Sequence, residues 1–253
     1  MTSPFVRRAT DVAAYAPANH TGTANQRIIG KETVGARRLE VLLGTISRGH
    51  GALPHAHPGL EQASLLLAGE GLGELPGKQR ILRAGDWSFN AAGVFHRFEV
   101  ISDEPVQVMV VYAPPYSENP NAAVLASGPD DPRLQAGAAE VRDVPSSTEG
   151  IELPHYRGAL VRPVITRQTV DSRFLDIYTV DLDPDGSAEP HRLGETEQVL
   201  FVRSGTIHGR INGEGFAAGT GEWVYVPDGA ELSLDPAGGT RELIVIRAHD
   251  PLS

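Results

Sequence analysis

The strongest constraint on what this chain can fold into is that it repeats itself. At a shift of 136 residues, Pro54-His55 recurs as Pro190-His191 and Glu61-Gln62 as Glu197-Gln198. Gly69, Gly73, Gly77, Gly85 and Gly93 recur as Gly205, Gly209, Gly213, Gly221 and Gly229, Trp87 as Trp223, and Ala52 as Ala188. Residues 51–100 therefore match 187–236 at 11 positions without a gap, where chance would give about three or four in a Gly- and Ala-rich sequence. Such self-similarity means two copies of one module. The expected division is 1–113 for an N-terminal module with a leading arm, 114–150 for a connector, and 151–253 for a C-terminal module.

Each copy reads as strands. Arg38–Ile46, Gln62–Leu67, Val106–Tyr112, Leu175–Val180, Val199–Arg203 and Leu243–Arg247 are short, rich in Val, Leu and Ile, and bounded by Gly, Pro and Asp, the pattern of strands between tight turns. Gly69-Glu70-Gly71, Pro76-Gly77 and Gly85-Asp86 are turn signals, and Asn212-Gly213 is a favoured hairpin dipeptide. Gly 28 and Pro 19 together make 47 of 253 residues, near 19%, above the roughly 12% of average chains. The expected fold class is all-β, with an antiparallel sandwich or barrel in each half. Between the halves, 114–150 holds six prolines and no histidine and reads as a connector over the surface, with short helical turns around Asn121–Ala126.

Charge and composition exclude several partners. Lys+Arg total 22 and Asp+Glu 32, a net charge of −10, which argues against nucleic acid or an anionic membrane because both require a basic footprint. No segment approaches the roughly 18 apolar residues of a spanning helix, so a soluble, cytoplasmic protein is expected. Cysteine is absent, so any metal must be held by His and carboxylate.

The chemistry concentrates in the first copy. His55 and His57 in Pro54-His-Ala-His-Pro58 share a face if this stretch is extended. Pro58-Gly59 permits a turn that brings Glu61 back toward them, and His96 follows the Gly85 and Gly93 turns on a later segment. Three imidazoles and a carboxylate suit one divalent transition ion (Fe, Mn, Ni, Cu or Zn) better than calcium or magnesium.

These segments resemble the two sequence motifs of the cupin superfamily. His55, His57 and Glu61 form the H-x-H-x3-E core, with Gly69 one position late; Gly85, Gly93 and His96 fit the second motif, with Ala91 where proline is usual and Val100 where asparagine is usual. The resemblance covers both halves. It implies two double-stranded β-helix (jelly-roll) barrels in tandem, with His55, His57, Glu61 and His96 as metal ligands; by residue type alone Glu61 is also a candidate base. Leu65 and Leu67, continuing the alternation from Glu61, and Phe89 and Phe98, flanking His96, are the expected pocket walls. In the second copy His191 and Glu197 persist, but Leu193 and Leu232 stand at the other two ligand positions. That barrel reads as retained for packing, or as a pocket built on His191 and Glu197, with Glu195 and Arg192 nearby. His20, His50, His155, His208 and His249 lie outside both motifs and read as surface or structural.

The resemblance implies a metal-dependent enzyme acting on a small oxygen-chelating metabolite. The leading expectation is a dioxygenase (an oxidoreductase) of an aromatic or enol/diketone-like substrate. The alternatives are a non-oxidative Lewis-acid enzyme (isomerase, lyase or ureidoglycine-aminohydrolase-like) and a non-catalytic binding protein. A homodimer is expected because barrel edges offer pairing surfaces.

Overall fold

The computed structural model describes residues 3–117, 119–128 and 130–250. The outermost residues of the expected divisions, 1–2 and 251–253, lie outside these, as do 118 and 129 in the connector. The chain forms two compact units, one of residues 12–30 and 39–144, the other of residues 1–11, 31–38 and 145–253.

The first unit is a nine-stranded antiparallel sheet wrapped into a barrel. Its spine is the long strand Glu40–Ala56, flanked by His96–Val100 and Val106–Ala113; Glu61–Ala68 pairs next to Val106–Ala113 and then Trp87–Asn90, while Glu70–Leu75 and Lys78–Arg83 extend the other side. His20–Ile29 and the short Val124–Leu125 also pair with the spine. The second unit repeats this plan. Its spine Leu175–Arg192 carries Glu231–Asp235, Arg241–His249 and Tyr156–Ile165, and Thr196–Ser204 joins Arg241–His249 to Trp223–Val226.

Turn chemistry fixes these registers. Asn212 and Gly213 both have positive φ, 50° and 82°, the conformation of a tight turn that matches strand twist. They join Thr206–Ile211 to Glu214–Gly219 with Ile211 opposite Glu214. Gly51 is needed for a different reason. It has φ 156°, and a Cβ there would lie 2.0 Å from the Phe98 carbonyl oxygen. Only a bare backbone lets the spine approach His96–Val100 closely enough to set His55 opposite His96.

The division of the chain differs from that expected. The N-terminal arm belongs to the second unit because Val6–Arg7 pairs with Val224 and Trp223, and Arg8 bonds Glu222. The segment 114–144 is built into the first unit rather than draped over it. Tyr116, Asp131 and Val144 are buried, and Asp131 accepts from Ser127 N, Ser127 Oγ, Arg133 N and Arg133 Nε. Short polar side chains that bond nearby backbone can order a Pro-rich stretch that has no strand pattern.

The two interiors differ. In the second barrel the aliphatic core, including Val180, Leu200, Val202, Ile207, Val224, Leu232, Leu234 and Val245, is continuous and leaves a cavity of only about 10 Å³ near His191. The first barrel has a smaller aliphatic cluster (Ile46, Leu66, Leu82, Val100, Val106 and Val108) beside a cavity of about 110 Å³. Small barrels are either filled by side chains or hold one small ligand, and this chain contains one of each. Among the described residues no helix is long and apolar enough to cross a membrane.

Candidate metal centre

His55 lies near the end of the spine strand, His57 just beyond it, and His96 opens the neighbouring strand directly opposite His55. The ring centroids are 4.8 Å apart for His55 and His57, 4.3 Å for His55 and His96, and 5.5 Å for His57 and His96. One ligand atom from each lies within 4.8 Å of the others, and the three residues are 3%, 3% and 8% exposed.

Backbone carbonyls set the tautomers. Nδ1 of His55 meets Leu53 O at 2.6 Å, Nδ1 of His57 meets Ala122 O at 3.1 Å, and Nδ1 of His96 meets Val94 O at 3.0 Å. A carbonyl can only accept, so each Nδ1 carries the proton and each neutral ring presents an Nε2 lone pair. His55 Nε2 and His57 Nε2 face one another at 3.2 Å. Two acceptors held that close in a buried site call for a cation between them, and a backbone-oriented imidazole is how proteins present a metal ligand. The three imidazoles form a metal-binding group suited to one divalent transition ion.

The electrostatics keep the group unprotonated. Burial lowers the His55 pKa from 6.5 to about 4, assisted by the neighbouring His57 and His20. Burial also lowers His57, and it holds His96 well below its ordinary value with help from His55 and His57. A depressed imidazole pKa means that the folded protein resists protons the unfolded chain accepts. Stability of the metal-free protein is therefore full above pH 6.5 and falls as the pH drops toward 4, by up to about 3 kcal/mol from His55 alone. Urea titrations of chelator-treated protein at pH 7.5 and 5 should show this loss, and a His55→Asn variant should show a shallower one. A flat pH dependence in both proteins would contradict the assignment.

Strand alternation sets the residue next to the expected fourth ligand on the cavity wall. Side chains alternate along Glu61–Ala68, and Gln62, Ser64 and Leu66 border the cavity, which places Glu61, Ala63 and Leu65 on the opposite face. Glu61 is buried but is not part of the three-histidine group. The predicted walls Leu65 and Leu67 are likewise replaced by Leu66, a slip of one residue that exchanges the two faces of a strand. Phe89 and Phe98 do border the cavity, with Leu42, Leu82 and Val108. Gln62 Oε1 lies 3.0 Å from His96 Nε2, and its amide nitrogen lies 3.4 Å from Ser64 Oγ.

Four contributors escaped the sequence reading. His20 borders the cavity, its ring 5.9 Å from that of His55; strand pairing of His20 with Ala52 brings it there across a separation in sequence that no local pattern spans. Tyr112 and Tyr116 pack edge-on against His57 at 5.5 and 4.9 Å. The carbonyl that orients His57 comes from the turn Pro120–Ala122, which Asn119 caps by accepting from Asn121 N. An Asn-Pro pair is a recognised turn start, so that signal was present in the sequence.

In the second barrel the remnants have separate tasks. Glu197 does not border the small cavity; its carboxylate accepts from Arg37 N at 2.9 Å, Arg38 N at 2.9 Å and Tyr225 Oη at 3.0 Å. Burial, then the Glu197 carboxylate, hold the Tyr225 phenol well above its ordinary pKa. His191 donates from Nδ1 to Glu189 O at 2.7 Å and stacks on His155 at 4.7 Å. Glu195, with φ 52°, sits in a turn, and Arg192 bonds Gly229 O at 2.8 Å; neither borders the cavity. The pocket built on His191 and Glu197 is therefore not present as such. Leu232, opposite His191 where the first barrel has His96, is 1% exposed in the aliphatic core.

Comparison with known proteins agrees with this anatomy. Residues 42–112 match the family described as Cupin domain. No curated protein matches the sequence. Among solved structures, a Lactobacillus farciminis oxalate decarboxylase in a formate complex superposes with a TM-score of 0.71 at 16% identity, covering 100% of this chain and 88% of that one. Bacillus subtilis oxalate decarboxylase at pH 4.6 gives 0.68 at 15% identity, covering 99% and 77%, and a tryptophan-to-phenylalanine variant of the B. subtilis enzyme gives 0.69 at 14%, covering 99% and 78%. At these identities the likeness is one of fold. With the family match over residues 42–112 and the three-histidine group together, the first barrel holds a cupin domain with the metal-binding group inside it, and the chain as a whole shares the two-barrel fold of these structures.

Proposed function

We propose that the first barrel is the active centre of a metal-dependent enzyme acting on a small metabolite that binds through adjacent oxygens, and that the reaction is a non-oxidative cleavage of the lyase type. The observation that carries this reading is the convergence of three buried, backbone-oriented imidazoles on one another, two of them, His55 and His96, bordering the cavity. Two-barrel structures that superpose on this chain include oxalate decarboxylases, which supports a lyase over the dioxygenase expected from the sequence. A divalent ion bound by His55, His57 and His96 would polarise substrate oxygens.

The chain's own residues supply the rest. Leu42, Leu66, Leu82, Phe98 and Val108 exclude water and hold an apolar part of the substrate. Ser64, Asn90 and Tyr112 border the same space and can position polar groups. At the cavity margin Lys78 pairs with Asp143, Arg80 with Asp86 and Arg97 with Glu74 and Glu99, while Arg142 bonds the Ala139 and Val141 carbonyls. His20 is the imidazole that borders the cavity outside the group of three, and it takes over the proton-carrying role expected of Glu61.

Dioxygenation is the second reading, favoured by the apolar walls, which would admit dioxygen beside a substrate. Turnover of a panel of small keto, hydroxy and dicarboxylic acids, enols and catechols by metal-loaded protein, with and without air, separates the two. We expect turnover that persists anaerobically and consumes no oxygen. Stoichiometric oxygen uptake would replace the lyase reading with the oxygenase, and a wild-type chain that retains no transition metal would remove both.

A further inference from the structure

We propose that the fourth protein ligand of the metal centre is the amide oxygen of Gln62 rather than the carboxylate of Glu61, so that the ligand set is uncharged and the site selects an anionic, oxygen-chelating substrate. This rests on the metal-dependent reading above and deepens it. Three observations converge.

The first is the orientation of the Gln62 amide, whose oxygen is turned toward His96 and whose nitrogen is turned toward Ser64. His96 donates from Nδ1 to Val94 O, so in the neutral ring Nε2 has no proton to give. Gln62 Oε1, also an acceptor, nevertheless sits 3.0 Å from it, while the Gln62 amide nitrogen is directed to Ser64 Oγ. With the 3.2 Å contact between His55 and His57 Nε2, two acceptor–acceptor pairs surround one spot, and a shared cation satisfies both.

The second is strand geometry. Gln62 borders the cavity with Ser64 and Leu66, and a period of two keeps Glu61 off that face. The third is an internal control. By the repeat, Gln198 corresponds to Gln62. Gln62 pairs across the sheet with Tyr112, and Gln198 pairs with Arg247. In the second barrel Arg247 Nε donates to Gln198 Oε1 at 2.8 Å, so the equivalent amide oxygen already faces a fixed cation. The first barrel has the phenol of Tyr112 in that register and no such guanidinium, which leaves the Gln62 oxygen for a metal ion.

The chemical consequence concerns charge. Three imidazoles and an amide leave a divalent ion its full double charge, whereas a carboxylate would cancel half of it. A substrate that supplies two anionic oxygens completes the balance. A carboxylate paired with an adjacent carboxylate, keto or enolate oxygen has this form.

The test is calorimetric titration of metal-free full-length protein with Mn(II), followed by titration of the Mn(II)-loaded protein with malonate as a dianionic probe. Gln62→Leu should weaken Mn(II) binding by about 10- to 100-fold. Gln62→Glu, which preserves size and so guards against misfolding, should tighten Mn(II) at least tenfold and weaken malonate about tenfold. It should also shift the visible absorption bands of the Co(II)-loaded protein. Glu61→Gln should leave Mn(II) affinity within twofold. Unchanged Mn(II) affinity in folded Gln62→Leu, unchanged Co(II) bands in Gln62→Glu, or a Glu61→Gln loss as large as that of Gln62→Leu would each overturn the proposal while leaving a three-histidine metalloenzyme intact. Failure of wild-type protein to bind Mn(II) or Co(II) would overturn this proposal and the functional reading beneath it.

Discussion

Replacing His96 with alanine is expected to lower the transition-metal content of purified protein from about one per chain to below a tenth, and to reduce turnover by on the order of a thousandfold. Only His55 and His57 of the group of three would remain, and open catalytic sites ordinarily keep three protein ligands. The rate estimate follows from the several kcal/mol that a bound ion contributes to stabilising developing charge, at about 1.4 kcal/mol per factor of ten. His191→Ala, the same change at the surviving histidine of the second barrel, should leave both quantities unchanged. Elemental analysis of protein purified without a chelating tag decides the matter, with a thermal melt to show that each variant is folded. Two metals per chain in the wild type, or loss of metal in His191→Ala, would show that the second barrel also ligates.

Glu197→Ala is expected to have the opposite profile, a loss of about 3 kcal/mol of stability with metal content still near one per chain. The carboxylate is 2% exposed and accepts from two backbone amides and a phenol. Truncation leaves three donors without their acceptor, the Tyr225 hydroxyl buried and the Arg37 and Arg38 amides partly so, at about 1–3 kcal/mol for a buried donor and less where water enters. Glu197→Gln keeps one acceptor oxygen but turns an NH2 group toward donors, so an intermediate loss is expected. Chemical denaturation of the second unit's transition measures both. A Glu197→Ala protein as stable as wild type would show that these bonds contribute little, and one that had lost its metal would place this glutamate in ligation.

The two results together separate residues that the repeat presents as equivalent. His55 and His191 occupy matching positions, as do Glu61 and Glu197, but neither pair can be assumed to share a task. His191 has its Nδ1 bonded to Glu189 O, as His55 has to Leu53 O. Around it, however, Leu193 and Leu232 remove two imidazoles and fill the volume. Burying Leu232 contributes roughly 2 kcal/mol, so the filled barrel retains its fold where the metal group has been lost.

Much of this was legible in the sequence, for reasons that are local. The turn glycines at matched positions are needed because several of them have positive φ in both barrels, Gly69 and Gly205, Gly77 and Gly213, Gly85 and Gly221 among them. Strand alternation placed His55 and His57 on one face, and the spacing to His96 located the third imidazole. The same alternation, counted from Glu61 instead of Gln62, turned Glu61, Leu65 and Leu67 toward the cavity in place of Gln62, Ser64 and Leu66. A one-residue ambiguity of this kind is invisible where a strand is buried on both faces, and Ala63, Ser64, Leu65 and Leu66 are all buried.

The sequence by itself determined that there are two modules of one kind, that they are built of strands, and that the three imidazoles belong to the first. Repeats, turn dipeptides and histidine spacing are all short-range properties of the chain. Only the tertiary structure decided which face of Glu61–Ala68 looks inward, that His20 and the Ala122 carbonyl reach the histidines, and that the N-terminal arm pairs with Trp223–Val226. These depend on which strands become neighbours when the sheet closes. Closure brings together residues tens to hundreds of positions apart, and no pattern within a single strand records that pairing.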